Sequence, residues 1–166
     1  MSNRNATVWV AALLAAALVS GGCGPSGVQP PRPVTSVQRV EMLVAPSPVN
    51  TDESPGPDAI WAQVFFYQAA QPEPVTVEGT LEIRLYDGRL GPASQPATMP
   101  LHTWTFSGEQ LEQRIIRWMG LWGYALPLAW GPDKPTGSTA TLIARYQLSS
   151  GRWLHSAPAP IPIQNK

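Results

Sequence analysis

The chain has 166 residues, equal numbers of acidic and basic side chains and a single cysteine, and a chain of about 150 residues usually forms one domain. Charged residues make up 13% and hydrophobic residues 43% of it, which excludes a chain that is disordered throughout. Because basic residues are not in excess, nucleic acid is excluded as an expected partner. The 19 prolines and 14 glycines argue against long helices and favour many turns.

The first 23 residues have the organisation of an export signal. Arg4 gives the amino-terminal end a positive charge, an apolar run extends over residues 6–19, and a Ser-Gly-Gly sequence directly precedes Cys23. A basic start, an apolar stretch of about 7–15 residues and a small-residue cleavage site describe a secretory signal peptide. The apolar run is shorter than the ~20 residues that a spanning helix needs, so we expect a signal peptide over residues 1–22.

The segment from Leu18 to Cys23 resembles the lipobox of bacterial lipoproteins, with Ser20 in the place where leucine is usual. The resemblance implies that the Cys23 thiol is diacylglycerated, that cleavage occurs before Cys23 and that the new amine is acylated, for example with palmitate. Gly24 follows, where aspartate would direct retention in the inner membrane, so the resemblance implies the outer membrane of the cell envelope. Two or more acyl chains anchor a protein stably. The alternative is a secreted protein with a free thiol.

Residues 23–36 are expected to form the lipidated cysteine and a tether. After Cys23 the chain reads GPSGVQPPRPVTS, which has no apolar periodicity. Its prolines favour an extended polyproline II conformation of about 3.1 Å per residue. The sequence therefore predicts a lipid-anchored domain over residues 37–166, held close to a membrane.

Alternation of apolar and polar residues predicts about seven strands in this domain. The clearest runs from Val75 to Tyr86, where Gly79 lies on the apolar face and indicates a bulge or a close backbone approach. Pro127, in a later strand, cannot donate to a ladder and indicates an edge or a bulge. The other predicted strands cover residues 37–44, 60–67, 101–106, 122–130, 141–148 and a segment from residue 153, before an edge or extended tail at 157–162.

One short helix is predicted near residues 108–119. Ser107 and Gln110 match the capping box, in which each side chain bonds the backbone of the other residue. Leu111, Ile115 and Trp118 follow at helical spacing and form one apolar stripe. Gly120 is expected to end the helix.

Strands at this spacing, separated by Pro and Gly turns, predict a mainly β fold, a single antiparallel two-sheet sandwich. The order of the elements resembles immunoglobulin-like and transthyretin-like sandwiches. The whole chain is similar to small bacterial lipoproteins of unknown function, which combine a lipobox, a proline-rich tether and one sandwich. A likeness of fold carries no function.

The sequence offers no catalytic motif. Of the two histidines, His155 is followed by Ser156, but neighbouring residues of a strand point to opposite faces and make a poor catalytic pair. His102 lies beside Trp104 in a predicted strand, and the carboxylates are scattered singly. We therefore expect a protein that is not an enzyme.

Two binding sites are candidates. The loop of residues 50–58 carries four oxygen-rich side chains that are candidate calcium ligands, although a solvated turn explains the same composition. Six tryptophans follow Cys23, and most share a strand face with core residues. Two stand among polar or mixed neighbours, where an exposed ring would stack on a sugar. The candidate residues are Asn50, Asp52, Glu53 and Asp58 for calcium, and Trp61 and Trp153 for carbohydrate.

The function predicted from sequence is that of a membrane-anchored envelope lipoprotein acting as a non-catalytic binding or structural module. Its partner, an envelope protein or a glycan, is not identified by the sequence. The alternatives are a carbohydrate-binding surface module and a calcium-stabilised adhesion-type domain. Calcium is the one candidate cofactor that the sequence suggests.

Overall fold

The computed structural model describes five stretches of the chain, residues 29–50, 57–69, 71–91, 99–131 and 133–163. Within them, nine strands and one short helix form two antiparallel sheets. This confirms the predicted fold class, a mainly β two-sheet sandwich with a single short helix. The predicted signal peptide, Cys23 and the first part of the predicted tether lie outside the described residues.

The first sheet has four strands and the second has five. The elements in chain order are β1 (Arg39–Val44), β2 (Ala59–Tyr67), β3 (Thr80–Asp87), β4 (His102–Phe106), α1 (Gly108–Glu112), β5 (Ile115–Trp118), β6 (Leu121–Ala129), β7 (Thr139–Gln147), β8 (Trp153–His155) and β9 (Ala159–Pro162). The first sheet has the order β1-β2-β6-β5. The second has the order β4-β3-β7, and both β8 and β9 pair with the remaining edge of β7.

Alternate residues of the central strands β2, β3, β6 and β7 fill the space between the sheets, as the period-two patterns predicted. Phe66 of the first sheet packs edge-on against Tyr124 and Tyr146, at ring-centroid distances of 5.6 and 4.9 Å. These three rings join the two sheets. The fully buried side chains around them include Ile60, Leu81, Ile83, Leu85, Leu126, Leu128, Trp130 and Leu142.

The helix is shorter than predicted and covers Gly108–Glu112 instead of residues 108–119. Its capping box is confirmed: the Gln110 amide donates to Ser107 Oγ, and the Ser107 amide donates to Gln110 Oε1. Leu111 is fully buried and attaches the helix to the core.

The remainder of the predicted helix forms strand β5, which pairs with β6. The prediction was wrong here because Ile115 and Trp118 were assigned to a helical stripe, whereas Ile115 lies opposite Tyr124 and Trp118 lies opposite Leu121. Two consecutive β-branched residues suit a strand better than a helix. Gly120 was predicted to end the helix, but it lies in the hairpin turn between β5 and β6.

The strand predicted from Val75 to Tyr86 begins only at Thr80. Before that point, Val75 pairs with Phe66 of β2. The chain therefore crosses from the first sheet to the second over residues 75–79, and a continuous alternation of side chains concealed the change of sheet.

The crossing is tightly packed around Gly79, which has a φ of 130°. A Cβ atom at this position would lie 2.9 Å from the Tyr146 hydroxyl oxygen, which confirms the predicted close approach. Pro127 lies in β6 beyond the part that pairs with β5, so the strand is locally an edge there, as predicted.

The segment before β1 is attached to one end of the sandwich. The Val34 amide donates to the Thr76 carbonyl at 2.8 Å, and Thr76 Oγ1 donates to the Pro31 carbonyl at 2.7 Å. We call this the proximal end; β2 ends and β6 begins there. At the distal end, β6 ends and β4 begins, and Trp104 Nε1 donates to the Ala129 carbonyl at 2.8 Å.

Candidate functional site

Apolar side chains occupy much of the solvent-facing side of the first sheet, alongside Arg39, Glu41 and Gln63. Leu43 is 50% exposed, Trp61 49% and Trp118 40%, and Pro127 lies opposite Trp61 in the register of β2 and β6. The solvent side of an antiparallel sheet is normally polar, so an apolar one marks a candidate interaction surface. We call it the outer face and define it by Leu43, Trp61, Phe65, Trp118 and Pro127.

Phe65 forms the most buried part of the outer face, with only 3% of its surface exposed. Its ring lies so close to Gly123 that a Cβ there would be 2.7 Å from a ring carbon. The Trp118 ring packs beside it at a centroid distance of 6.4 Å. The absence of a side chain at Gly123 therefore leaves room for the Phe65 ring.

A two-residue turn joins β5 to β6 at the proximal end. Met119 and Gly120 have φ values of 49° and 86°, which are typical of a type I′ hairpin turn. Met119 is 81% exposed. In the described residues it is the one non-glycine residue with a positive φ, at a position that favours Asn, Asp or Gly.

Arg117 stabilises this turn. Its Nε donates to the Gly120 carbonyl at 3.3 Å, and its guanidinium lies 5.6 Å from the centre of the Trp122 ring. Trp122 lies opposite Arg117, and Trp118 lies opposite Leu121. Because adjacent pairs alternate between faces, the two tryptophans flank the turn on opposite sides.

The outer side of the second sheet has a different chemistry. Glu82 Oε2 accepts from Arg145 at 2.6 Å and from Arg84 at 3.3 Å, and these hydrogen bonds, that from Arg145 first, lower the pKa of Glu82. The Arg145 guanidinium lies 4.0 Å above the ring of Trp153. Partial burial and the neighbouring arginines lower the pKa of His155.

The two candidate carbohydrate residues therefore differ in availability. Trp61 is half exposed on the outer face, whereas one side of the Trp153 ring is covered by Arg145. The structure places them on different sheets, so they do not form one platform.

The histidines also lie apart. His102 Nδ1 is 2.8 Å from Asp133 Oδ2 at the distal end. Ser156 is buried, with its Oγ accepting from the Ala144 amide at 3.0 Å, while His155 is exposed on the other side of the sheet. The predicted opposite orientation of His155 and Ser156 is confirmed.

Only part of the candidate calcium loop can be located. Asp52 and Glu53 lie outside the described residues. Asp58 is 5% exposed, its amide donates to the Val49 carbonyl, and its carbonyl accepts from the Trp130 amide. Among the residues that the structure describes, no group of three or more His, Cys, Asp or Glu side chains could hold a metal ion.

An open groove of about 560 Å³ lies at the proximal end, beside the start of β1. Its lining includes Gln38, Arg39, Tyr67, Gln68 and Gln71. The Arg39 guanidinium lies 4.3 Å above the Tyr67 ring. The lining of this groove offers amide groups for hydrogen bonding, and its Arg39 forms an ion pair with Glu41 at 3.2 Å.

Sequence reasoning missed Trp118 and Met119 as surface residues, because it assigned Trp118 to the buried stripe of a helix. The signal that identifies them is the pair of β-branched residues Ile115 and Ile116, followed by a glycine, Gly120, at the second position of the two-residue turn. Trp61, in contrast, was correctly singled out as an exception to core packing.

Comparison of the chain with protein-family models, with curated proteins and with solved structures found no match. No helix in the described stretches is long and apolar enough to cross a membrane.

Proposed function

We propose that the protein is a lipid-anchored envelope lipoprotein whose β-sandwich is a non-catalytic binding module, and that the outer face of the first sheet is its binding surface. The observation that carries the proposal is the exposure of Leu43, Trp61 and Trp118 on the solvent side of an antiparallel sheet. Tryptophan is among the residue types that contribute most of the binding energy at protein interfaces.

The anchor is supported by the sequence around Cys23, where an apolar run and small residues precede the single cysteine of the chain. Pro31 and Val34 contact Thr76, so seven residues, 24–30, separate Cys23 from the first of these contacts in the sequence. At about 3.1 Å per residue, this length keeps the domain within a few nanometres of the bilayer.

The non-catalytic role is supported by the surroundings of the histidines. In the described stretches, neither imidazole is hydrogen-bonded to a serine or threonine hydroxyl, and Ser156 Oγ is used by the backbone of β7. A nucleophile and its base need such a contact.

The anchor is tested by Cys23→Ser in the producing cell. We expect the wild-type chain in the membrane fraction and the variant in the soluble fraction. A variant that remains membrane-bound contradicts the anchor.

The binding surface is tested by photo-crosslinking in intact envelopes, with a photoreactive amino acid in place of Leu43. The matched control carries it in place of Thr105, an exposed residue on the outer side of the second sheet. A discrete adduct from residue 43 and none from residue 105 supports the proposal. Equal labelling from both positions, or none from either, contradicts it.

A second candidate function is carbohydrate binding by Trp61, which is favoured by the exposure of half of its surface. Trp61→Ala should weaken retention on purified peptidoglycan without changing the melting temperature. Trp153→Ala is the control, since Arg145 already covers one side of that ring. A wild-type chain that is not retained excludes this function.

A further inference from the structure

We propose that the β5–β6 hairpin tip, Trp118–Trp122, inserts into the bilayer interface and holds the sandwich upright on the membrane. The inference rests on the proposed lipid anchor and adds a second membrane contact to it. Acyl chains and protein side chains together bind a membrane more firmly than either does alone, because the second contact is intramolecular.

The composition of the hairpin tip fits the bilayer interface. Trp118 and Trp122 flank the turn, and Met119 projects from it with 81% of its surface exposed. Tryptophan is enriched where hydrocarbon meets headgroups, and an arginine beside it reaches phosphate groups while its stem stays in apolar surroundings. Residues 113–123 contain two arginines and no acidic residue.

The backbone of the turn is a second, independent observation. A methionine at a φ of 49° occupies a left-handed conformation that is unfavourable by about 1 kcal/mol for a residue with a side chain. Unfavourable backbone conformations concentrate at functional positions. The sequence thus keeps a large apolar side chain at a turn position where Asn would be more stable.

The position of the hairpin tip indicates that it contacts the bilayer. The tip lies at the proximal end, where residues 31–38 join the sandwich. From Cys23 to Pro31 a fully extended chain covers at most about 28 Å. The longest strands of the sandwich have nine residues and are about 30 Å long, so a membrane anchor at Cys23 brings the proximal end to the bilayer before the distal end.

This orientation has a consequence for the outer face. With the hairpin tip in the interface, β2 points away from the membrane plane. Trp61, in the distal part of β2, then remains in water. The two exposed tryptophans then have different roles: Trp118 contacts lipid, and Trp61 is available to a partner.

Methionine supplies a matched pair of probes for this arrangement. Met119 at the proximal end is 81% exposed, and Met99, three residues before the start of β4 at the distal end, is 91% exposed. Met119→Cys and Met99→Cys, each in the full lipidated chain, are labelled with an environment-sensitive fluorophore. Acylation consumes the thiol of Cys23, so each variant has one reactive site.

The labelled proteins are reconstituted into vesicles of phosphatidylethanolamine and phosphatidylglycerol, and flotation and fluorescence are both measured. We expect both variants to float, the label at residue 119 to shift to shorter wavelength, and iodide quenching there to fall several-fold relative to residue 99. Met119→Asn should preserve the turn and the fold, because Asn is favoured at this position. When a label replaces Trp118, we expect it to be more accessible to iodide in the Met119→Asn variant than in the chain that retains Met119.

The outcomes separate the two proposals. If the chains float but the labels at 119 and 99 report the same aqueous surroundings, the hairpin contact is wrong and the anchor stands. A chain that does not float overturns the anchor and this inference with it. A shift at residue 119 that appears only at high protein density on the vesicle identifies a second copy of the chain as the occupant and overturns the bilayer proposal.

Discussion

The hydroxyl group of Tyr124 in β6 binds the backbone of Val77, in the segment where the chain crosses from the first sheet to the second. The Val77 amide donates to Tyr124 Oη at 2.7 Å, and burial raises the pKa of this tyrosine to about 12. The hydroxyl of Tyr146 donates to the carbonyl of Glu78. One tyrosine from each sheet thus holds the segment through which the chain crosses between the sheets.

Tyr124→Phe should destabilise the protein by about 1–3 kcal/mol, because it leaves the buried Val77 amide without an acceptor. The measurement is urea unfolding followed by fluorescence. Tyr86→Phe is the matched control, since Tyr86 is buried but its hydroxyl has no hydrogen-bond partner in the described residues. Equal losses in the two variants would show that the bond to Val77 adds no stability.

Gly123→Ala should destabilise the protein by about 1–3 kcal/mol through overpacking. The new methyl group would lie 2.7 Å from a ring carbon of Phe65 and 3.0 Å from the Val64 carbonyl oxygen. Thermal unfolding measures the effect. Gly108→Ala is the control: its nearest contact would be 3.4 Å, and alanine is the better helix former, so its melting temperature should be unchanged or higher.

Leu111→Ala should lower the free energy of unfolding by about 2–5 kcal/mol, since the side chain is fully buried and its removal leaves a cavity. Leu43→Ala, at a residue 50% exposed, should change it by less than about 1 kcal/mol. Chemical denaturation of both variants makes the comparison. A similar loss in the two would contradict the position of α1 against the core.

Acidification should destabilise the protein in two steps. The pKa of His155 is lowered from 6.5 by burial and by Arg145. On acidification, His155 therefore becomes protonated at a higher pH in the unfolded chain than in the folded chain, and stability falls as the pH drops below about 6.5. The pKa of Glu82 is lowered from 4.5 by its bond to Arg145, so its contribution is present above about pH 4.5 and is lost as the pH falls through its folded pKa.

Unfolding free energies measured across this range, on the wild type and on His155→Gln, test the first step. We expect the variant to lose less stability than the wild type between neutral pH and pH 5.5. A wild type that becomes more stable over this interval, relative to the variant, would reverse the sign of the argument. Glu82→Gln should remove the second step.

The period-two patterns were sufficient to predict the sandwich and most of its strands, because burial of one strand face imposes alternation on the sequence itself. The capping box at Ser107 is equally local and was recognised correctly, whereas Gly120, predicted to end a helix, lies in a hairpin turn. Ile115 and Trp118 were wrongly assigned to a helix, because apolar residues spaced three or four apart over so short a segment do not distinguish a helix from a strand.

The sequence by itself determined the fold class, the inward faces of the central strands and the helix start, since each depends on residues that are neighbours in the chain. Only the tertiary structure decided that β5 pairs with β6, that the chain changes sheet at Gly79, and that Trp118 lies on the solvent side beside Phe65. These features depend on contacts between residues far apart in sequence, and whether an apolar side chain is covered is decided by which elements fold over it. The charge balance and the high proline content have the same limit: they predict turns and argue against nucleic acid as a partner, but they do not show which sheet face is left apolar.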